Sequence, residues 1–98
     1  MISKTDIVYI SGPMSGIEHY NKPKFREIEH QLKHLYGCIV LSPERHPDGL
    51  LHSQYMEMAK VDISVCTAVL FLEGHTESIG ANMEMLWATA QEKKILYE

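Results

Sequence analysis

Short apolar runs alternate with helical patterns along this 98-residue chain, and that alternation constrains its fold more than any other feature. The runs that predict strands are residues 7–10, 39–41, 68–72 and 95–97. Apolar residues recur at helical spacing over residues 23–36, 53–66 and 78–91. A regular strand–helix alternation favours a parallel sheet with right-handed crossovers. We therefore predict one α/β domain over residues 1–98, a parallel sheet of four to five strands with helices on both faces.

The apolar positions of each helix predict which of its faces is buried. In the first helix the apolar positions are Phe25, Ile28, Leu32 and Leu35. Pro23 suits its first turn and Gly37 its end, and Ser53 is a candidate cap for the second helix. The predicted buried stripe of the third helix is Ile79, Met83, Leu86, Trp87 and Ala90. Glu84 lies at the edge of that stripe.

Charge and composition exclude several classes of partner. Lys and Arg number 9 against 13 Asp and Glu, a net charge of −4, so we expect no nucleic acid polymer as partner. We find neither a signal-peptide core nor an apolar run near the ~20 residues that cross a bilayer, and we expect a cytoplasmic protein without a membrane partner.

Two pairs of residues raise the possibility of a disulfide or a metal site. Cys38 and Cys66 lack CxxC spacing and predict two buried thiols in a reducing compartment, with a disulfide as the alternative. His30 and His34 are four residues apart, but they fall on the solvent side of their helix, and no third ligand has matching spacing. We therefore expect no metal.

The loop after the first strand is the first candidate for a binding site. Parallel sheets bind ligands beyond the carboxyl ends of their strands, near the point where strand order reverses, so the loops after the first and third strands are the places to look. The first loop is Ser11-Gly12-Pro13-Met14-Ser15-Gly16. It contains neither GxGxxG nor a Walker lysine, and we expect no cofactor. Taken alone, this loop also fits an ordinary turn.

Three residues outside this loop, each with a carboxylate or hydroxyl group, are further candidates for the site. Ser78 begins the third helix, where free N–H groups favour an anion, so it caps the helix, binds a phosphate, or does both. Glu84 follows about one and a half turns later. Asp62 shares a helix side with apolar neighbours, and a carboxylate there is costly unless it is paired or functional. For Asp62, a structural hydrogen bond and catalysis both stay open.

The two loops together resemble a known superfamily. The matching residues are Tyr9-Ile10-Ser11-Gly12-Pro13-Met14-Ser15-Gly16, Tyr20-Asn21-x-Pro23-x-Phe25 and Ser78-x-Gly80-x-x-x-Glu84. This pattern resembles a small phage and bacterial domain family that is similar to the nucleoside 2-deoxyribosyltransferases and the 2'-deoxynucleoside 5'-phosphate N-hydrolases. The resemblance implies a Rossmann-like sheet, a nucleoside or nucleotide as small-molecule partner, and a homo-oligomer, a dimer or larger, in which a neighbouring subunit often completes the site.

The resemblance also implies roles for individual residues. Glu84 would attack the sugar C1' atom, Tyr9 would orient it, and Asp62 would protonate the departing base. The implied substrate-binding residues are Ser11, Gly12, Pro13, Met14, Ser15, Gly16, Asn21, Ser78 and Gly80. The implied activity is cleavage or transfer of an N-glycosidic bond; the base, the sugar and the need for a 5'-phosphate stay open.

Three departures from the superfamily pattern keep two alternatives open. The first loop lacks the arginine typical of the hydrolases, and Ala59 and Thr67 stand where aspartates are expected. The alternatives are a catalytically silent nucleotide-binding or sensing module and a phage-type interaction protein on the same scaffold.

Overall fold

Seven regular elements follow one another in the computed structural model, which describes residues 1–98. They are β1 (Ile7–Ser11), α1 (Lys22–Tyr36), β2 (Ile39–Leu41), α2 (His52–Val65), β3 (Ala68–Phe71), α3 (Ile79–Ala90) and β4 (Lys94–Tyr97). All strand pairs are parallel, in the order β2-β1-β3-β4, which confirms the predicted α/β fold with four strands. The chain moves from β1 to one side and then to the other, so strand order reverses between β1 and β3. None of the helices has the length and apolar character needed to span a membrane.

Alternation along β1 divides the protein into two cores. Val8 and Ile10 belong to the core under α1, with Phe25 of that helix. Tyr9 belongs to the opposite core, which α2 and α3 cover. Since side chains two apart on a strand share a face, Ser11 lies on the same side as Tyr9. The sequence of β1 therefore sends two hydroxyl groups toward α2 and α3.

The amino end of the sheet is fastened by the Asp6 carboxylate. It accepts hydrogen bonds from the Ser3 backbone N–H (2.8 Å), the Lys94 ammonium group (2.9 Å) and the Thr67 hydroxyl (2.7 Å). The Ser3 bond first, and then those from Lys94 and Thr67, hold the pKa of Asp6 well below its usual range. Thr67 thus lies at the end of the sheet opposite the strand-end loops. Its departure from the superfamily pattern therefore does not affect a site at the carboxyl edge.

The prediction of the buried face of α3 was wrong. Ile79 is 77% exposed and Leu86 is 64% exposed, while Ala81, Glu84 and Ala88 face inward. The small alanines let the helix lie close to the sheet, and the large residues of the predicted stripe point outward as a result. Trp87 is partly buried and does pack against the core.

Two smaller expectations about the helices also differ from the structure. Leu35, in the last turn of α1, is 68% exposed, whereas Phe25, Ile28 and Leu32 are buried as predicted. The second helix begins at His52 after Leu51, so Ser53 is inside it and is not its cap.

The two cysteines are both free and buried, as predicted. Cys38 belongs to the core under α1, and Cys66 belongs to the core on the other face of the sheet. The sheet between these cores excludes the alternative of a disulfide between them.

Gly12 is the position where β1 leaves the sheet, and a side chain there meets Leu72. A Cβ atom at Gly12 would lie 2.8 Å from the Leu72 Cβ atom, which the backbone fixes in place. We predict that Gly12→Ala lowers the free energy of unfolding by about 1–3 kcal/mol, the usual cost of overpacking. Thermal denaturation measures this loss.

Gly80→Ala is the matched control, because the nearest atom to its Cβ would be the flexible Met56 sulfur, at 3.4 Å. It should leave the melting temperature unchanged or slightly raised, since alanine favours a helix. Equal melting temperatures for Gly12→Ala and the wild type would contradict the predicted clash.

Candidate active site

The Glu84 carboxylate is buried on the inner face of α3 and is held by two hydroxyl groups from β1. The Tyr9 hydroxyl donates to Glu84 Oε2 at 2.7 Å, and the Ser11 hydroxyl donates to Oε1 at 2.6 Å. Glu84 is 7% exposed, and both donors are fully buried. A carboxylate oxygen has two lone pairs, so each oxygen keeps one after accepting its bond.

Glu84 differs from the other buried carboxylates in having no cation beside it. Asp6 pairs with a lysine, Glu44 pairs with an arginine, and Glu29 pairs with one lysine and one arginine. No ion pair involves Glu84, whose only side-chain partners are the two neutral hydroxyls. A buried charge that is not neutralised is costly, and such groups concentrate at functional sites.

Burial also sets the protonation properties of this cluster. It raises the pKa of Glu84, the Ser11 and Tyr9 hydrogen bonds act in the opposite direction, and the negative charge of Asp62 adds to the rise. Burial and the Glu84 charge raise the pKa of Tyr9 well above its ordinary value. Tyr9 therefore remains a neutral donor to Glu84 at physiological pH.

A cleft of about 450 Å³ opens above this cluster, at the carboxyl ends of β1 and β3. Its volume is in the range of small-molecule sites. The predicted site residues that line it are Tyr9, Gly12, Pro13, Met14, Ser15, Ser78, Gly80 and Glu84. The structure thus brings the first loop and the start of α3 together around one cavity.

Three residues predicted to contact a substrate lie elsewhere. Ser11 is beneath the cleft and is engaged with Glu84. Asn21 is outside the lining and donates from Nδ2 to the Pro13 carbonyl oxygen (2.9 Å), which fastens the first loop to the start of α1. Gly16 is also outside the lining; its positive φ of 81° and its exposure are typical of a turn.

Ser78 has one clear structural role. Its hydroxyl oxygen accepts a hydrogen bond from the Ala81 backbone N–H at 3.1 Å, so it caps α3 as the sequence suggested. The hydroxyl proton and the first N–H groups of the helix are not consumed by this bond. The capping bond therefore leaves Ser78 able to donate into the cleft.

Asp62 lies behind the cleft and not on its surface. Ala59, the position where the superfamily pattern expects an aspartate, lines the cleft one helical turn away. The Asp62 Oδ2 atom is 4.0 Å from the Nε2 atom of His46, which does line the cleft. That nitrogen is buried and has no hydrogen-bond partner. Burial raises the pKa of Asp62, and the nearby His46 opposes the rise.

Sequence reasoning missed the wall of the cleft that follows β2. This wall and its surroundings contribute Pro43, His46, Asp48, His52, Tyr55 and Met56. Because β2 pairs with β1 in parallel, its carboxyl end reaches the same edge of the sheet. Applying the strand-end rule to the second strand as well as the first and third would have found this segment. Lys22, also missed, is the only lysine or arginine in the lining and bonds to Asp48 at 2.8 Å.

Comparisons with known proteins give one family and one fold. A family model described as "Domain of unknown function (DUF4406)" matches residues 6–97. A solved structure, "2-desoxiribosyltransferase from Leishmania mexicana", is similar with a TM-score of 0.75 and 17% identity over 94% of this chain. The present chain covers 63% of that protein, less than two thirds of its length. No curated protein matches the sequence. The likeness establishes a nucleoside 2-deoxyribosyltransferase-like fold.

The raised pKa of Glu84 predicts that its charge destabilises the native state. A carboxyl group whose folded pKa is raised favours folding most at pH values below its unfolded pKa, and this contribution is lost as the pH rises through the folded pKa. Glu84→Gln should therefore raise stability at pH 7 by about 1 kcal/mol, an increase of roughly 4–8 °C in melting temperature. The difference from the wild type should vanish near pH 4.

Glu29→Gln provides a control of opposite sign. Glu29 is equally buried, but its carboxylate bonds to Lys33 and Arg45. The neutral amide should weaken these pairs and lower the melting temperature at pH 7. A loss of stability in Glu84→Gln at pH 7 would contradict the prediction.

Proposed function

We propose a function for this chain, which belongs to the family described as Domain of unknown function (DUF4406). The proposed activity is cleavage or transfer of the N-glycosidic bond of a (deoxy)nucleoside or its 5'-monophosphate, with Glu84 as nucleophile. The observation that carries this proposal is the buried Glu84 carboxylate, which faces the cleft and is held by two hydroxyls without a cation. An ionised carboxylate with free lone pairs is suited to attack an electron-poor sugar carbon.

The reaction would proceed in two displacements. In the first, a Glu84 oxygen forms a bond to C1' as the C1'–N bond breaks, and the base leaves with the bonding electrons and takes up a proton. In the second, water or an incoming base attacks C1', breaks the glycosyl ester and restores the carboxylate. Both transition states place positive charge on the sugar ring, beside the negative charge that Tyr9 and Ser11 hold in place.

The departing base needs a proton, and the geometry favours His46 as its direct source. Asp62 was expected to supply it, but Asp62 does not line the cleft, and Ala59 has no proton to give. His46 lines the cleft, and Asp62 is 4.0 Å behind it. We therefore assign proton donation to His46 and a positioning role to Asp62, whose Oδ2 atom lies 4.0 Å from the His46 Nε2 atom. Attack by water in the second step would return the proton to His46.

The same cleft offers groups that suit a sugar 5'-phosphate. The Ser78 hydroxyl and the Gly80 N–H group lie at the start of α3, where the helix dipole favours an anion. Lys22, the one lysine or arginine of the lining, would supply positive charge in place of the arginine that the first loop lacks. The first loop, from Gly12 to Ser15, would form the wall against the sugar. We propose that the partner is a small nucleoside or nucleotide, used by a cytoplasmic homo-oligomer.

One observation favours a second candidate. Ala59 places a methyl group where the superfamily pattern expects a carboxylate facing the cleft. This substitution fits a nucleotide-binding or sensing module without turnover on the same scaffold. Such a module would bind nucleotides and release no base.

The experiment that tests the nucleophile is incubation with a panel of nucleosides and 5'-monophosphates, followed by chromatography for free base. We predict base release by the wild type and a loss of at least about a thousandfold in Glu84→Ala, since the covalent step disappears. Glu77→Gln, which alters another carboxyl group of the cleft, should retain base release.

Thermal shift measurements on the same panel separate the alternatives. Nucleotide-dependent stabilisation of the wild type without base release would support the binding module, because a ligand of the native state raises its stability. The absence of both stabilisation and base release would support an interaction protein. Unchanged base release in Glu84→Ala would refute the nucleophile.

The roles of His46 and Asp62 predict non-additive losses. His46→Gln and Asp62→Asn should each slow base release, and the double variant should be no slower than His46→Gln, because the aspartate acts on proton donation through the histidine. Single-turnover rates for the three variants measure this coupling. A nucleoside whose base departs without protonation should be affected least. Losses that multiply in the double variant would show that the two residues act separately.

A further inference from the structure

The His46 imidazole lines the cleft, and its Nε2 atom has no hydrogen-bond partner. That atom is buried, and the Asp62 Oδ2 atom, 4.0 Å away, is beyond hydrogen-bond distance. Glu84, by contrast, is fixed directly by the hydroxyls of Tyr9 and Ser11. The position of the imidazole therefore depends on how the backbone on either side of it is held.

Two ion pairs hold the chain before the imidazole against α1. The three residues directly before His46 form one 3₁₀ turn, which packs on that helix. Arg26 of α1 has its Nε atom 3.1 Å from Glu44 Oε2, and Arg45 of the turn bonds to Glu29 of α1. The helix thus supplies a cation and then an anion, and the turn supplies an anion and then a cation. We refer to these as the crossed ion pairs. Because a slip along α1 would bring like charges together, they fix the position of the turn along the helix.

The carboxylates of the crossed ion pairs are buried, and this makes their cations necessary. Glu29 is 5% exposed and Glu44 is 8% exposed. Ion pairs between exposed groups contribute little, but a buried carboxylate that loses its cation keeps an uncompensated charge. The Glu29 Oε2 atom accepts from two cations, Arg45 and Lys33. Lys33 lies on α1 together with Glu29, so only Arg45 connects this carboxylate to the turn.

The chain after the imidazole is held by α2. The Tyr55 hydroxyl donates to the Pro47 carbonyl oxygen at 2.6 Å and accepts from the Leu50 backbone N–H at 3.2 Å. Helices α1 and α2 cover opposite faces of the sheet. His46 therefore lies between two anchored segments, one fastened to each face.

We propose that the crossed ion pairs position the His46 imidazole for proton transfer, with Glu29 and Arg45 as positioning residues. This inference rests on the proposed function, in which His46 protonates the departing base. Neither positioning residue lines the cleft. A proton donor must lie within hydrogen-bond reach of the base, and a misplacement of about 1 Å costs about a hundredfold in rate. Holding the ring through its backbone leaves the Nε2 atom free to meet the base.

Arg45→Met and Lys33→Met form a matched pair of variants that tests this role. Each removes one of the two cations from the same Glu29 oxygen, but only Arg45 adjoins His46 in the chain. We predict that Arg45→Met slows release of adenine from 2'-deoxyadenosine by about ten- to a hundredfold in single turnover, because this base leaves protonated. Lys33→Met should leave the rate unchanged, and Arg45→Lys should restore most of it.

The leaving group separates a positioning role from a general loss of structure. In 2'-deoxy-5-nitrouridine the base departs as an anion and needs no proton. Its release should be the same in Arg45→Met and in the wild type, whereas loosening of the whole cleft would slow both nucleosides. Circular dichroism should show Arg45→Met and Lys33→Met folded, with similar losses in melting temperature.

NMR of the histidine rings tests the same role without turnover. In protein labelled with ¹³C-histidine, the His46 Cε1–H signal is the one that disappears in His46→Gln. It should be single and sharp in the wild type and in Lys33→Met. In Arg45→Met it should be broadened or split, because a ring on a loosened backbone samples more than one position.

Three results would overturn the positioning role of the crossed ion pairs. They are equal slowing of both nucleosides by Arg45→Met, equal effects of Arg45→Met and Lys33→Met, and a sharp His46 signal in Arg45→Met. A wild type that releases no base would refute the proposed function alone. The His46 signal would then decide whether the crossed ion pairs hold the ring.

Discussion

The two hydroxyl groups that β1 presents to the Glu84 carboxylate connect the sheet to α3, and the arrangement of the cleft depends on them. Tyr9 and Ser11 are two residues apart on the central strand β1, so they lie on the same face, under α3. Their bonds fix α3 with Glu84 turned inward. Burying that carboxylate without partners would cost several kcal/mol. Two residues on one short strand thus contribute, together with the small inner alanines, to the orientation of a whole helix.

The positions of the elements follow from local sequence, because each strand is a compact apolar run and each helix has a clear apolar repeat. The rotation of α3 does not follow in the same way. Its apolar residues occur on two opposite sides, and periodicity alone cannot tell which side meets the sheet. The larger stripe, Ile79 to Ala90, was the natural choice, yet the inner side must be narrow enough for Ala81 and Ala88 and must deliver Glu84 to Tyr9.

The candidate site was only partly predictable, because the residues that meet there are far apart in the sequence. Glu84 and Tyr9 were identified through resemblance, and their contact joins residues 75 positions apart. Ser11 was assigned to the substrate because it begins a loop, but the strand continues through it and turns it toward the carboxylate. The approach of His46 to Asp62 depends on how the segment after β2 packs against α2, which no local spacing encodes.

The orientation of α3 also connects the proposed chemistry with the exposed apolar residues of the same helix. Exposed apolar area costs about 25 cal/mol per Å², so a single chain would gain by turning Ile79 and Leu86 toward the core. That rotation would break both hydroxyl bonds to Glu84 and bring its carboxylate out of the cleft. The exposed apolar residues of α3 therefore follow from keeping Glu84 on the inner side of the helix, where Tyr9 and Ser11 hold it.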